Sequence, residues 1–527
     1  MAKSVIIIGG GVAGLAAGCY AQMNGYDSQI YEMHFLPGGL CTAWERGQYS
    51  FDGCLSYLYG TRPGQPFHSV WQELGVAGAQ PTYDHDEMLR VRDSQGRELI
   101  AYADPDRLEE HLCQLSPADA GLSRSFCQGI RQFLSFDMSM LWQKPRSVMN
   151  QQDWGRLGLG MLPYLPATLR WGAVSARELG NRFRDPFLRR AVPHMFGWED
   201  IPVMAGCSIL AALHNRNGGF PLGGSLRFAR TLAKRYQALG GRIHYKAQVE
   251  RILTAPAPNG RGKRAVGVRL YDDSVHHADW IISAADGRGT IFDLLDGEFV
   301  DRGLRKQYDG SWPIHSMFQV SLGVNRDLGD EPHWVMQLVD EPILMAGQDH
   351  NELHIRNYCF DPSQAPPGKS VLIAQLRTKY SYWQRIYGRR IYDSEQTQVS
   401  DILVDWLEKN LYPGLRGDIE VVDEATPLSY ERYTGNWMGS SCGWLLTKQT
   451  MLPMIQGMKK TLPGLQGLVM AGQWVEPGGM VPVAAYSGRN AMQLICHQDR
   501  REFVTAAGQS ADGSAGNPNG PRSQDRT

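Results

Sequence analysis

The 527-residue chain carries 53 basic and 54 acidic side chains, a net charge of −1, and 59 glycines. At 43% hydrophobic and 20% charged it can bury a large core, which excludes a disordered protein, and its balanced charge argues against a nucleic-acid partner. Its length predicts two domains, and glycines without a G-x-y period exclude collagen.

Residues 4–8 (SVIII) form a short apolar run that predicts a strand buried on both faces, as in a parallel sheet. The run breaks at once into Gly9-Gly10-Gly11, so a signal peptide is not expected. Residues 12–24 predict a helix with Ala13, Ala16 and Ala17 on one face, and 28–32 (SQIYE) predict a second strand. Gly9, Gly11 and Gly14 then fit G-x-G-x-x-G between a strand and a helix, with Glu32 ending the next strand 18 positions after Gly14. Gly9 permits the tight turn, Gly11 lets backbone approach a pyrophosphate, and Gly14 lets the helix pack on the strand. The helix start offers N–H groups and the positive end of its dipole to phosphates. Glu32 accepts from ribose hydroxyls and repels a 2′-phosphate, which points to NAD or FAD rather than NADP.

Downstream, Leu36-Pro37-Gly38-Gly39-Leu40-Cys41 places a second glycine pair just past the second strand. Between about 105 and 200 the pattern turns helical, in segments divided by Pro or Gly. Gly155, Gly158 and Gly160 have neither a preceding strand nor a well-placed acid, so they predict a loop or a helix kink and no second dinucleotide domain. Electrons would then leave to a quinone, to oxygen or through a transient nicotinamide contact. Residues 154–176 set Arg156 and Arg170 apart from apolar positions. They read either as an amphipathic membrane-surface segment or as a helical cap over an apolar pocket, with Pro163 and Pro166 interrupting a long helix.

Residues 225–240 predict an amphipathic helix closed by Gly240-Gly241, followed by strands RIHYK, VERIL, AVGVRLY and WIISAAD. Strands and helices mix after about 305. GLVMA (467–471) predicts another buried strand, and Gly472, Gly478, Gly479 and a helix over 482–497 repeat the strand–glycine–helix arrangement. The tail, 504–527, is rich in Gly, Ser, Asn and Pro and predicts disorder. Nine cysteines without a C-x-x-C pair predict free thiols in a reducing compartment; neither they nor the 14 histidines show zinc spacing, so no metal is expected. No apolar run reaches 18 residues, so the expected location is cytoplasmic, with contact at a membrane surface left open.

Taken together, GGGVAGL, Glu32, PGGLC, FDGC, the blocks at 218–252 and 278–295 and the C-terminal AGQWVEPGGMVPVAAYSG resemble the phytoene-desaturase and carotenoid-isomerase-like FAD-dependent oxidoreductases of the amine-oxidase-like flavoprotein superfamily. The resemblance covers about 500 residues. It implies an α/β fold with a Rossmann-type (GR2-like) FAD-binding domain and an interleaved mixed α+β substrate domain. It implies a discontinuous FAD domain of residues 1–75, 205–300 and 460–503, and a substrate domain of 76–204 and 301–459 with a helical cap. FAD would lie on Gly9, Gly11, Gly14 and Glu32, along Gly38, Gly39 and Leu40, with Val249 at adenine and Gly472 and Met480 near the flavin.

The implied activity is desaturation, saturation or cis–trans isomerisation at carbon–carbon bonds of a large apolar polyene or isoprenoid. An amine-oxidase-like enzyme and a non-catalytic prenyl escort like the Rab GDP-dissociation inhibitors are the alternatives. The chain departs from the carotenoid enzymes at Leu40, where they carry Arg, and at Cys54, where their FD-x-G-P block ends in Pro. Both departures bear on the substrate and leave the flavin untouched. Tyr57, Tyr59 and His214 are candidates for substrate contact, His34 reads as structural, and His276-His277 read as a solvated edge. No residue is singled out as catalytic.

Overall fold

In the computed structural model, residues 2–506 and the backbone of 509–510 are described. Five parallel strands form the first sheet, in the spatial order Leu468–Met470, Trp280–Ser283, Ser4–Ile8, Asp27–Glu32, Arg242–Tyr245. Val5, Ile6 and Ile7 are buried and lie beside Trp280, Ile281 and Ile282. Both faces are covered, so the strands read as apolar runs without alternation. A smaller sheet of Val249–Pro256, Lys263–Leu270, Val275–His277 and Leu465–Gln466 lies beside it in a shared core. His277 is exposed on that sheet's edge, whereas His276 is half-buried against the Tyr31 ring.

The helix Val12–Met23 is buried along nearly its whole length, because the last helix, Val481–Gln498, packs across it. That crossing requires Gly488: a Cβ there would sit 2.2 Å from the Ala13 carbonyl oxygen. Gly14 is as tightly held, since its Cβ would meet the Gly9 carbonyl oxygen at 2.0 Å.

The second body is built on a seven-stranded sheet. Its order is Ile419–Ala425, Met317–Val324, Ser370–Arg377, Gln348–Asn357, Trp334–Met345, Glu87–Arg92, Glu98–Tyr102. All neighbours are antiparallel except Trp334–Met345 with Glu87–Arg92. Side chains alternate across such a sheet. Phe318, Val320, Leu353, Ile355, Leu372 and Leu376 point to one face and pack with Trp383, Leu403 and Leu407 of helices Tyr380–Gly388 and Tyr392–Asn410. Gln319, His354, Arg356, Gln375 and Arg377 share the opposite face by register. A helical layer stands over that face, including Pro105–Leu115, Ala120–Phe133 and Val203–His214. Asp104 starts the first of these helices by accepting from the N–H groups of Asp106 and Arg107, with Pro105 at a position that needs no donor.

Two expectations are corrected. Gly155, Gly158 and Gly160 lie inside the helix Gln151–Met161, neither in a loop nor at a kink. A reciprocal Asn150–Asp153 cap starts this helix, and a Cβ on Gly155 or Gly158 would meet nothing within 4 Å. The expected disordered tail begins with a strand, Val504–Ala506, paired with Gln509–Ser510; residues 507–508 and 511–527 lie outside the described residues. Among the described residues no helix is long and apolar enough to cross a membrane. All nine cysteines are free.

Candidate functional site

A cavity of about 560 Å³ opens at the carboxyl ends of the parallel strands, where an open α/β sheet binds its ligands. Nine of the ten residues expected at the cofactor line it: Gly9, Gly11, Glu32, Gly38, Gly39, Leu40, Val249, Gly472 and Met480. Gly14 does not reach the cavity and acts only as the close contact between helix and turn. The two glycine segments meet directly. The Gly38 N–H donates to the Gly10 carbonyl at 2.9 Å, and Gly11 and Gly38 form an isolated parallel bridge. Gly38 and Gly39 have φ of +116° and +61°, which side-chain-bearing residues rarely adopt.

The electrostatics suit an anion. The helix Val12–Met23 starts at Gly11 with no side-chain cap, so its first N–H groups, at Val12 and Ala13, face the cavity without partners from capping. The helix Val481–Gln498 likewise starts uncapped at Met480. Gly472 is held by its N–H, which donates to Ser487 Oγ at 2.9 Å.

Glu32 is buried and pinned. Its Oε2 accepts from the Gly10 N–H at 2.6 Å and its Oε1 from the His34 N–H at 2.7 Å. Burial raises its pKa against these bonds. Each oxygen keeps a second lone pair for a ribose hydroxyl. His34 uses Nδ1 to accept from the Leu36 N–H at 3.2 Å and packs on Phe35, a structural arrangement. Glycine backbone, uncapped N–H groups and a buried acid in one cavity fit a dinucleotide.

A second cavity, of about 530 Å³, lies between the polar face of the seven-stranded sheet and the helical layer. Phe133, Phe136, Met138, Trp198, Met451 and Met454 make much of its wall apolar. The two cavities share Cys54, Ser441, Gly479, Met480 and Val481, so they adjoin at the start of the last helix. Tyr57 and Tyr59 line the second cavity with rings edge-to-face at 5.5 Å, and the Tyr59 hydroxyl has no partner among the described residues. His214 lies elsewhere, with Nδ1 3.7 Å from Asp104 Oδ2, and is not among the residues that line either cavity. Asp52, in the FDGC segment, ties that loop to the helix Gly224–Ala238: it accepts from the N–H groups of Cys54, Leu55 and Ser225 and from Ser225 Oγ.

Two acids at the cofactor cavity escaped the sequence reading. Asp286 follows the strand Trp280–Ser283 and accepts from the N–H groups of Gly289 and Trp437, and burial pushes its pKa up to about 7. Glu476 is buried, ion-paired with Lys460, and receives Trp142 Nε1–H at 3.1 Å. Position was the available signal: each acid lies a few residues beyond the carboxyl end of a strand in the parallel sheet.

Residues 7–74 match the family model described as NAD(P)-binding Rossmann-like domain. The chain is 25% identical over 511 residues to the chloroplastic prolycopene isomerase of Daucus carota, covering 92% of this chain and 78% of that protein. It is 24% identical over 527 residues to a lycopene-forming phytoene desaturase of Pseudescherichia vulneris, covering 94% and 99%. Among solved structures it resembles an oxidoreductase from Methanosarcina mazei, with TM-score 0.58, 17% identity and coverage of 93% and 100%. It also resembles wild-type putrescine oxidase bound to putrescine, with TM-score 0.56, 13% identity and coverage of 94% and 99%. The structural likenesses carry the fold, and the sequence likenesses show a chain similar over more than nine-tenths of its length to prolycopene isomerases and phytoene desaturases.

Proposed function

We propose that the protein is an FAD-dependent oxidoreductase acting on carbon–carbon bonds of a large apolar polyene or isoprenoid. The observation that carries this reading is the junction of the two cavities, where Cys54, Ser441, Gly479, Met480 and Val481 line both. A dinucleotide laid along the glycine turns brings its reactive end to an apolar chamber. The FAD domain comprises residues 1–75, 205–300 and 460–503, and the substrate domain 76–204 and 301–459. Gly9, Gly11 and Glu32 hold the adenosine and phosphate half, Val249 borders adenine, and Gly38, Gly39, Leu40, Gly472 and Met480 border the remainder, with Gly14 supporting the turn.

A bound flavin supplies electron and hydride exchange. The chain's part is to orient the substrate against it and to exclude water, which the aromatic and methionine walls do. An amine substrate fits less well, since Arg356, Arg377 and Lys379 line the same chamber and repel a cation. A flavin-free prenyl escort has no use for an acid held as Glu32 is.

The purified protein is expected to be yellow, with absorption near about 370 and 450 nm. Anaerobic titration with polyenes, fatty acids and amines should bleach the roughly 450 nm band with polyenes alone. A colourless protein that binds no added FAD would sink the enzyme reading, and bleaching by amines would move it to the amine oxidases.

Contact with a membrane surface belongs to the same proposal. Trp154, Leu159, Leu162, Leu165 and Leu169 are exposed on consecutive turns of 154–169, with Arg156 and Arg170 exposed among them. On the inner side Tyr164, Ala167 and Trp171 are buried, and Met161 and Thr168 line the apolar chamber. The segment is thus a cap on one side and an apolar, basic-flanked face on the other, suited to drawing a lipid-soluble substrate from a bilayer. The double variant L159D/L169D should cut sedimentation with phosphatidylcholine–phosphatidylglycerol vesicles by about tenfold or more. Equal sedimentation of variant and parent would remove the membrane from the proposal.

A further inference from the structure

The apolar chamber has one wall that a hydrocarbon cannot satisfy. Register places Arg377 opposite Met317 and His354 opposite Gln375, and His315 lies two residues before Met317. Neighbours two residues apart on one sheet face stand within reach of long side chains. Arg377, His354 and His315 therefore cluster, and all three line the chamber. Among the described residues each keeps a buried nitrogen with no hydrogen-bond partner: Arg377 Nε, His354 Nε2 and His315 Nε2. Native interiors rarely leave such groups unmade, because each unmet donor or acceptor costs its desolvation.

Charge is met only in part, and of the Arg377 guanidinium one N–H donates to the Gly197 carbonyl at 3.4 Å. Among the described residues neither Arg377 nor Arg356, further along the same face, comes within the 4.0 Å ion-pair distance of a carboxylate. Arg356 lies over the Trp334 ring at 4.4 Å, and its Nε is also without a partner. Glu199 and Asp200 both pair with Arg177; Glu352, grouped with His194 and Glu199, lies across from Arg377 on the same sheet face and feels its charge, but not at ion-pair distance. His315 is held by Ser441 Oγ at 3.2 Å from Nδ1, which leaves Nε2 facing the chamber side. Burial and the Arg377 charge hold its pKa down to about 3.

We propose that the substrate of this chamber carries a carboxylate at one end, seated on Arg377 with His315 and His354, while its apolar chain lies along the aromatic and methionine walls. This deepens the reading of a flavin-dependent polyene or isoprenoid enzyme and rests on it for the identity of the chamber. Guanidinium takes a carboxylate through two parallel N–H donors, and the imidazoles complete the seat. Arg356 adds positive potential along the same face without joining the seat. One anchored end gives the substrate a single orientation, so the reacting bond is chosen by its distance from the carboxylate. A symmetric hydrocarbon would instead bury the cation with no partner at ion-pair distance.

The test is binding of three matched probes to the purified protein, read by quenching of tryptophan fluorescence: all-trans-retinoic acid, its methyl ester and retinyl phosphate. The acid should bind roughly 10- to 100-fold more tightly than the ester, the range of a charge-assisted pair. R377M should abolish the preference and R377K should restore part of it, with flavin content and absorption unchanged in both. Equal binding of acid and ester by the parent protein overturns the proposal without need of any variant. Tighter binding of retinyl phosphate than of the acid overturns the carboxylate. Absence of flavin alongside a clear preference for the acid would strike the proposed enzymatic function and leave the anionic seat standing.

Discussion

Gly11→Val is expected to fold as the parent does and to emerge from purification without flavin colour. Gly11 has φ of −69° and ψ of 175°, a conformation that any residue adopts. Its Cβ would find only the Gly38 carbonyl oxygen at 3.7 Å and Gly39 Cα at 4.0 Å, both ordinary contacts. The isopropyl group would therefore enter the cavity that the dinucleotide is proposed to fill, at the start of the uncapped helix. Loss of close approach between backbone and pyrophosphate should reduce FAD affinity by about 100-fold or more, the cost of removing two or three charge-assisted bonds.

Gly14→Val, three residues away, should behave in the opposite manner. Its Cβ lies 2.0 Å from the Gly9 carbonyl oxygen, so the helix must move off the strand, at roughly 1–3 kcal/mol or more. Far-UV circular dichroism with the ratio of visible to ultraviolet absorption separates the two outcomes. A yellow Gly11→Val protein would remove the ligand from this turn.

Lys460→Met should destabilise the protein by about 3–5 kcal/mol, the usual cost of leaving a buried charge without its partner. Lys460 and Glu476 are 6% and 4% exposed and form an ion pair. The Lys460 carbonyl also accepts from the Met470 N–H, which fixes the segment against the end strand of the parallel sheet. Without the ammonium, the Glu476 carboxylate retains, among the described residues, the Trp142 Nε1–H bond alone. The double variant K460M/E476L should recover most of the loss, because a well-packed apolar pair replaces a buried ion pair at little cost. Urea unfolding at neutral pH measures both. A single-variant loss below about 1 kcal/mol, the value of a solvent-screened surface pair, would contradict the burial on which the expectation rests.

Local patterns were legible wherever the cause was local. Ser4–Ile8 is apolar without alternation because both faces of a central parallel strand are covered, and the sequence shows this directly. Gly9, Gly11 and Gly14 are legible because a tight turn, a backbone approach and a helix contact each exclude a side chain at a set spacing. The helix at Gln151–Met161 was misread because glycine lowers helix propensity, whereas a capping box and solvent on the glycine face let the helix continue. Tyr57, Tyr59 and His214 were indistinguishable as candidates. Only the packing of the helical layer sends the tyrosines into the apolar chamber and leaves His214 beside Asp104.

By itself, then, the sequence determined the βαβ start, the glycine turns, the acid at Glu32 and the helices over 225–240 and 482–497, since hydrophobic period and backbone freedom act over a few residues. It did not determine which distant segments meet. The strand Leu468–Met470 joins the sheet through Trp280–Ser283, and Gly488 lies against Ala13 across most of the chain. Only the tertiary structure covers one face of the seven-stranded sheet with helices, so that His354, Arg356, Gln375 and Arg377 line one chamber. Burial changes what those side chains mean. In water an arginine without an ion-pair partner costs nothing, but in a low-dielectric chamber it favours an anion, and that preference arises only from the packing of elements far apart in the chain.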